Sequence, residues 1–296
     1  MAFKNRSPDG NKSNHQGAVH DLSPMNVLLL SDLHLENPGF VPYPNIDDIP
    51  ENVDVVVLAG DIHVGTQGVA WAQKYFSRWP VLYVPGNHEF YGGEYHETLT
   101  NLRHACAGSN VQLLERDSVV IGDIRFLGTT LWTDFLLFAD TEDEDGHKEQ
   151  AWAMADAASY MADFGGSITV RESPGVQPVQ LTPAHTVTWH KQSVLWLEAM
   201  LGTPFEGKTI VISHHAPCQR SVPPEFTRHR LTPAYASRLD CIVEKSDYWL
   251  HGHTHHELEY KQGRCCVIVK FSSDATFRAV AIDDDVANAS SSSLQV

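Results

Sequence analysis

Five short clusters of polar residues recur along the chain, and each follows an apolar run. The clusters are Asp32-Leu33-His34, Gly60-Asp61, Gly86-Asn87-His88-Glu89, His214-His215 and Gly252-His253-Thr254-His255. They supply carboxylate, amide and imidazole groups but no thiolate. A mixed set of nitrogen and oxygen ligands suits Mn, Fe, Zn, Co or Ni, and suits Mg alone less well. The number of such groups indicates a pair of divalent metal ions rather than one.

The spacing inside these clusters determines which side chains can share an ion. Residues two apart in an extended chain share a face, so Asp32 and His34 can hold one ion, and His253 and His255 repeat the spacing. The Asp61 carboxylate has two oxygens and can bridge two cations, which an imidazole cannot do. Two cations roughly 3.5–4 Å apart can clamp a phosphoryl group, make hydroxide near neutral pH and neutralise the charge of the transition state. The clusters therefore indicate phosphoryl-transfer chemistry.

The apolar runs before the clusters have the composition of buried strands. They cover residues 26–31, 53–59, 81–85, 209–213 and 248–250. Runs rich in β-branched residues without polar alternation suit strands that are buried on both faces. Helical spacing over 67–79, between the second and third runs, predicts a β-α-β unit. Ligands collect where the strands of open α/β sheets end, so the clusters are expected to meet at one edge.

The rest of the chain predicts further strands and helices around this frame. A helix is expected at 94–107, followed by strands at 111–114, 118–121 and 124–128 with a hairpin turn at 122–123. A second hairpin at 262–263 joins strands 258–260 and 265–271, and 277–282 is a last strand. Two sheets with helices outside would form one domain over 25–284. The polar segments 1–24 and 285–296 are predicted to be flexible tails.

Residues 132–207 interrupt this succession of strands and helices and are interpreted as an insertion. The insertion contains predicted helices at 147–164 and 185–201 and a Pro/Gly-rich stretch at 173–183. It either covers one side of the site or forms a structural helical layer. Its first aromatic residues, Trp132 and Phe135, are more typical of a core than of a surface that stacks a base.

Composition limits the partners and the compartment. The formal charge of −16 over 296 residues disfavours long nucleic acid, which is bound through Lys and Arg contacts to phosphates. No apolar stretch is long enough to cross a bilayer, so no membrane partner is expected. Residues 1–24 lack the apolar core of a secretory signal, and five cysteines without framework spacing favour reduced thiols. We therefore expect a cytoplasmic protein that acts on a small phosphate ester.

The ordered series Asp-x-His, Gly-Asp, Gly-Asn-His-Glu, His and Gly-His-x-His, over residues 31–255, resembles the calcineurin-like metallophosphoesterase superfamily. The resemblance implies an α/β (α+β) fold, a four-layer α/β/β/α sandwich of two mixed sheets flanked by helices. It places a dinuclear metal site at the strand ends. The implied function is hydrolysis of a phosphate ester by a hydroxide that bridges the two metals, with a phosphodiester favoured over a monoester.

The resemblance also assigns roles to individual residues. One metal would be held by Asp32, His34, Asp61 and His255, and the other by Asp61, Asn87, His253 and one of His214 and His215. We favour His214 because it directly follows the strand run, which leaves His215 to contact substrate. His88 matches the position that contacts the phosphoryl group or protonates the leaving oxygen, and Glu89 would orient a histidine.

Two departures from the motifs of known subfamilies argue against membership in those subfamilies. The Asp-Arg-Gly element of the protein Ser/Thr phosphatases is missing after Gly60-Asp61, and Val64 stands where purple acid phosphatases have a tyrosine ligand. The remaining pattern is similar to small bacterial phosphodiesterases, including cyclic-nucleotide types. Two alternatives remain, a catalytically silent binding scaffold and a nuclease. The complete ligand set argues against the first, and the acidic balance argues against the second.

Several residues outside the motifs are candidates for substrate contact. Arg220, Arg228 and Arg230 form a basic loop after the fourth cluster, which could contact the phosphate or the leaving group, or could be a solvated loop. Tyr91 could line the pocket or pack as an ordinary aromatic residue. Isolated histidines are expected to be surface or capping residues, namely His96, His104, His147, His185, His190 and His229.

Overall fold

The computed structural model describes residues 24–37, 49–139, 144–269 and 279–282, without the side chains of residues 144–146. The predicted tails at 1–24 and 285–296 lie outside these residues apart from position 24. Most of the acidic run at 140–145 also lies outside them, as do residues at the ends of the last two predicted strands. The single-domain interpretation of residues 25–284 stays a prediction.

The first sheet is built from five strands, most of them predicted from the apolar runs. They are β1 (Met25–Leu30), β2 (Val55–Ala59), β3 (Val81–Val84), β5 (Val111–Leu113) and β14 (Ala279–Ile282). Their order is β14-β1-β2-β3-β5. The central pairings β1–β2, β2–β3 and β3–β5 are parallel, and only β14 runs antiparallel at the edge. The carboxyl ends of β1, β2 and β3 therefore meet at one edge.

The second sheet has six strands and faces the first. They are β6 (Asp117–Ile121), β7 (Ile124–Thr129), β10 (Lys208–Ser213), β11 (Tyr248–His251), β12 (Leu258–Gln262) and β13 (Cys265–Val269). Their order is β12-β13-β11-β10-β7-β6, with parallel pairing in the middle and an antiparallel hairpin at each edge. The turn at 122–123 is confirmed by the pairing of Ile121 with Ile124. The second turn lies at 263–264, one residue later than predicted, because Gln262 pairs with Cys265.

Helices cover the outer faces of both sheets. They are α1 (Gln67–Tyr75), α2 (Tyr95–Cys106), α3 (Glu144–Tyr160), α4 (Pro183–Gly202) and the short α5 (Asp240–Val243). Val69 of α1 and Leu102 of α2 pack in one hydrophobic cluster with Val56 of β2. Leu197 of α4 and Val211 of β10 share another cluster on the far side of the second sheet.

Alternation along the strands separates these outer clusters from the core between the sheets. Val57 of β2 packs with Phe126 of β7 and Ile212 of β10 in the cluster between the two sheets. The neighbouring cysteines obey the same alternation, since Cys265 joins the outer cluster with α4 and Cys266 joins the core between the sheets. The predicted four-layer α/β/β/α architecture is therefore confirmed.

Two short strands of the insertion pair with a strand outside it in a small sheet that the sequence did not predict. Its strands are β4 (Gly93–Glu94), β8 (Ile168–Val170) and β9 (Val179–Gln180), in the order β4-β8-β9. Strands of two or three residues are too short for a two-residue period to be recognised. The helix predicted at 147–164 is instead α3 followed by the 3-10 turn Ala162–Phe164, because Met161 between them has extended backbone. Trp132 and Phe135 are buried in the core, as favoured from the sequence.

Candidate metal centre and adjoining pocket

The metal-ligand candidates lie in loops that follow parallel strands of the two facing sheets. Five of them adopt left-handed backbone, with φ of 55° at Asp32, 45° at His34, 55° at Asp61, 67° at His253 and 49° at His255. This region is uncommon for residues other than glycine and costs of order 1–3 kcal/mol per residue. Backbone hydrogen bonds of 3.0 Å from Asp32 N–H to Gly60 and from His34 N–H to Asp61 hold the first two loops together. The strain is therefore concentrated where the polar side chains converge.

The first group of ligand atoms contains Asp32, His34 and His255. Their ligand atoms all lie within 4.8 Å of one another. His34 Nε2 is 3.2 Å from His255 Nε2, which is 3.3 Å from Asp32 Oδ1. His34 Nδ1 lies 3.3 Å from Glu36 Oε1, and a carboxylate only accepts, so this nitrogen carries the proton. The lone pair of His34 Nε2 is then directed at the group.

The second group contains Asp61, His214 and His253, and it has the same character. His214 Nδ1 donates to the Ala59 carbonyl over 2.9 Å, so Nε2 is the nitrogen left to bind a cation or a second proton. That Nε2 faces Asn87 Oδ1 at 3.1 Å, Asp61 Oδ2 at 3.3 Å and His253 Nδ1 at 3.1 Å. Burial disfavours a charged imidazole, but the Asp61 carboxylate outweighs it and raises the pKa of His214 to about 9. Convergent lone pairs of this kind require a positive charge among them.

The Asp61 carboxylate lies between the two groups. Its Oδ2 is 3.3 Å from His214 Nε2 and 3.8 Å from His34 Nε2, whereas its Oδ1 accepts the His88 N–H over 2.9 Å. Burial alone would raise the pKa of Asp61, but the charges of the surrounding histidines hold it well below its usual range. Asp61 is therefore the residue that would hold both ions, and its Oδ2 is the oxygen that faces histidines of both groups. The nitrogen and oxygen donors of both groups fit two divalent cations.

Of the two adjacent histidines, only His214 faces these groups. His215 is buried, with its ring packed between Trp132 and His253 and its Nδ1 3.2 Å from the Thr130 carbonyl. Burial holds the pKa of His215 well below its ordinary value. His215 does not line the cavity, because its side chain is buried and packs against the ligand candidate His253.

His88 is held by a carboxylate that the sequence analysis missed. His88 Nδ1 donates to Glu36 Oε1 over 2.9 Å, and its ring stacks on Tyr91 with centroids 4.2 Å apart. Burial opposes ionisation of Glu36, but hydrogen bonds from His34 and His88 outweigh it and lower the pKa of Glu36 to about 2. Burial also disfavours charged His88, yet the Glu36 hydrogen bond and the Asp61 charge raise its pKa. The two-residue spacing Asp32-His34-Glu36 was the signal that identifies this residue.

The sequence analysis predicted that Glu89 orients a histidine. Its side chain instead joins two loops through their backbone. Its buried carboxylate accepts the N–H groups of Asp61 (3.0 Å), Ile62 (2.9 Å) and Gly86 (2.7 Å), together with the Tyr83 hydroxyl (2.8 Å). The loops after β2 and β3 are thereby fixed to each other. This contact positions Asp61 and Asn87 through the chain rather than through an imidazole.

Residues 25–257 match the calcineurin-like phosphoesterases. The chain belongs to this family. An uncharacterized protein of Acanthamoeba polyphaga mimivirus is 23% identical over 257 residues, which are 78% of this chain and 85% of the viral protein. A phosphopantetheinyl hydrolase from Mycobacterium tuberculosis has a similar fold, with a TM-score of 0.65 and 16% identity over 89% of this chain and 98% of that chain.

A second residue that we missed ties the insertion of this calcineurin-like phosphoesterase to the ligand loops. Asp163 Oδ1 accepts from Asn87 Nδ2 over 2.8 Å and from the Tyr91 hydroxyl over 3.1 Å. Holding the Asn87 nitrogen in this way leaves its oxygen facing His214. Asp163 follows Asn87 by 76 positions and belongs to no motif, so no local signal could have identified it.

A cavity of about 480 Å³ opens above the two ligand groups. Its floor is formed by ligand and motif residues, namely Asp61, Asn87, His88, His253, Thr254 and His255. Tyr91 lines it as well, so this residue both packs against His88 and faces the pocket. The walls come from residues 160–163 of the insertion and from the loop after β10, through Val222, Pro223, Phe226, His229, Leu231, Thr232 and Tyr235. The insertion therefore covers one side of the site while α4 forms a structural layer.

The three loop arginines do not line this cavity. Arg220 donates to the Lys261 carbonyl over 2.8 Å and lies 4.7 Å from the centroid of Tyr260. Arg230 lies 4.1 Å above the Tyr160 ring, and Arg228 is exposed. Of the two alternatives, the exposed Arg228 fits a solvated loop, whereas Arg220 and Arg230 contact a carbonyl and aromatic faces, which a guanidinium also binds well.

The isolated histidines divide between the predicted roles and others. His185 caps α4 by accepting from the Thr182 backbone over 3.0 Å, as expected of a capping residue. His190 is buried against the Leu131 carbonyl rather than exposed. His229 lines the cavity.

No helix in the described ranges has both the length and the apolar character to cross a bilayer.

Proposed function

We propose that this protein hydrolyses phosphate esters with two divalent metal ions. Asp32, His34, Asp61 and His255 would hold one ion, and Asp61, Asn87, His214 and His253 the other. The observation that carries this assignment is the convergence of lone pairs on Asp61 Oδ2, with His214 Nε2 at 3.3 Å and His34 Nε2 at 3.8 Å. Nitrogen and oxygen donors suit Mn, Fe, Zn, Co or Ni.

When bound, two such ions supply Lewis acidity and a hydroxide nucleophile near neutral pH. His88 is our proposal for the group that contacts the phosphoryl oxygens or protonates the leaving oxygen. Its Nδ1 is occupied by Glu36, so Nε2 is the nitrogen available to the substrate in the cavity. Stacking on Tyr91 holds the ring in this orientation.

A phosphodiester is our favoured substrate, with a monoester as the alternative. The cavity of about 480 Å³ extends beyond the ligand groups, which leaves room for an organic ester group next to the phosphoryl group. Similarity in fold to a phosphopantetheinyl hydrolase is compatible with such a substrate. The cytoplasmic location stays a prediction made from the sequence.

Metal loading and a chromogenic assay test this function together. Purified protein would be loaded with Mn, Ni, Co or Zn, analysed for metal content, and assayed with a nitrophenyl phosphodiester and the matching monoester. We expect about two ions per chain and faster turnover of the diester. Less than one ion per chain after Mn loading, or no turnover of either ester, would contradict the proposal.

The role of His88 has a separate test. We expect His88→Ala to lower turnover by about 10²–10⁴-fold while both ions stay bound, because the residue is proposed to act on substrate. His104→Ala, on the exposed face of α2, is the matched control. An unchanged rate in His88→Ala would make this residue structural.

A further inference from the structure

Beyond the ligand and motif residues, the cavity is lined by two largely apolar walls, which contact each other through Arg230 and Asp156. One wall is the end of α3 and the turn after it, where Tyr160, Met161 and Ala162 line the cavity. The other is the loop after β10, which contributes apolar residues, namely Val222, Pro223, Phe226 and Leu231. Neither wall belongs to a metal-ligand motif.

Large aromatic side chains stand exposed on both walls. The exposed fraction is 61% for Tyr160 and 51% for Phe226. Exposed apolar side chains that cluster around a concave site mark a surface that binds something apolar. Tyr160 is held in place, because Arg230 lies 4.1 Å above its ring and 3.5 Å from Asp156. The exposure is therefore a property of an anchored side chain.

Charge distinguishes the kind of ligand that these walls accept. Among the residues that the structure describes, neither a lysine nor an arginine lines the cavity. The carboxylates that do are Asp61 of the floor and Asp163 at the end of the first wall, and both accept hydrogen bonds from neighbouring groups. His229 is the one imidazole among the described residues of the walls, so a second negative charge on the substrate would meet no permanently charged cation there, and burying it without such a partner would be costly.

We propose that the space between these walls binds an uncharged, apolar ester arm of the substrate, alkyl or aromatic, while its phosphoryl group lies over the ligand groups. This rests on the proposed function, since the phosphoryl group must be held at the metal ions. Tyr160 and Phe226 are the residues that determine specificity for the arm. Substrates with a second phosphate or a carboxylate on the arm are disfavoured.

Binding of simple phosphonates to the Mn-loaded full chain, measured by calorimetry, tests the proposal. Methylphosphonate is compared with hexylphosphonate and with a pentylphosphonate that ends in a carboxylate. We expect hexylphosphonate to bind at least about 10-fold more tightly than methylphosphonate, because burying even two of the added methylene groups is worth about 1.4 kcal/mol or more. The carboxylate arm should bind no more tightly than methylphosphonate. Equal affinity of the hexyl and methyl compounds, or preference for the carboxylate arm, would overturn the proposal.

Variants of the walls make the test specific. Phe226→Ala and Tyr160→Ala should each reduce the ratio of methyl to hexyl dissociation constants to about 3-fold or less, since one wall of the space is lost. Leu195→Ala is the control, because Leu195 is 67% exposed on α4 and does not line the cavity. A ratio that both wall variants preserve would overturn the proposal. A preserved arm preference without ester turnover would overturn the proposed function and support the binding site.

Discussion

The floor of the cavity and its walls are built in different ways. The floor consists of side chains from loops that follow β1, β2, β3, β10 and β11, and Glu89 and backbone hydrogen bonds fix these loops to one another. The walls come from the end of α3 and from the loop after β10, with aromatic side chains exposed to solvent. The metal-ligand candidates thus stand on the rigid strand ends, whereas the residues that we propose to select substrates belong to segments that can vary independently.

The largest expected effect lies at the centre of the floor. Asp61→Asn should lower turnover of a nitrophenyl phosphodiester by about 10³-fold or more, because a neutral amide cannot balance two cations as a carboxylate does. Metal analysis should show fewer ions per chain. Asp123→Asn, an exposed turn residue, is the control for the same chemical change. Retained activity in Asp61→Asn would refute the bridging role. Substitutions in the floor would then lower activity no more than substitutions in the walls.

The rigidity attributed to the floor is tested by two glycines with left-handed backbone. A Cβ at Gly60, where φ is 90°, would lie 2.3 Å from His214 Nδ1, whereas one at Gly65, where φ is 58°, would meet no atom within 4 Å. Gly65→Ala should cost about 1 kcal/mol of unfolding free energy from backbone strain alone. Gly60→Ala should cost about 3 kcal/mol or more, since His214 or the Gly86 loop must also move.

Denaturant unfolding measures both costs, and metal content measures the consequence for the site. Gly60→Ala should lose metal affinity while Gly65→Ala keeps it, although both substitutions add one methyl group to the same loop. Equal losses of stability in the two variants would show that the floor can adapt, which would remove its contrast with the walls.

The same contrast explains which parts of the molecule the sequence could predict. Asp32, Asp61 and His214 directly follow apolar runs, so a local pattern identified both the strand and the ligand candidate. Glu36 was within reach of the same reasoning, because it continues the two-residue spacing of the first motif. Asp163 was not, since it meets Asn87 only through the tertiary packing of the insertion. Local patterns describe the floor, and contacts distant in sequence describe the walls.

The basic loop shows why composition misleads where packing decides. Three arginines in an acidic protein left a phosphate contact and a solvated loop open, but Arg220 and Arg230 are directed at the rings of Tyr260 and Tyr160. A guanidinium gains from an aromatic face as well as from an anion, and only the fold determines which is nearby. The short strands β8 and β9 were missed for a related reason, because their pairing depends on a partner rather than on their own sequence.

Asp163 connects the two regions, and we expect an intermediate effect there. Asp163→Ala should lower turnover by about 10–100-fold, because Asn87 loses the acceptor that keeps its oxygen directed at the ligand groups. Asp163→Asn retains an acceptor oxygen for Asn87 and Tyr91 and should restore most of the activity. Metal affinity, measured alongside turnover, should follow the same order. An Asp163→Asn variant as inactive as Asp163→Ala would contradict a positioning role.

The smallest effect is expected for the residue that composition favoured most. Arg220→Ala should change the KM for a phosphodiester by less than about two-fold, since the exposed guanidinium binds the Lys261 carbonyl and the Tyr260 ring instead of the cavity. Phe226 is on the same loop but lines the cavity. Phe226→Ala should therefore raise the KM of a substrate with an apolar arm several times more than Arg220→Ala does. Kinetics of both variants with one substrate compare the two contributions directly. A ten-fold rise in KM for Arg220→Ala would mean that this loop recognises charge, and the walls would then differ from the floor in position only.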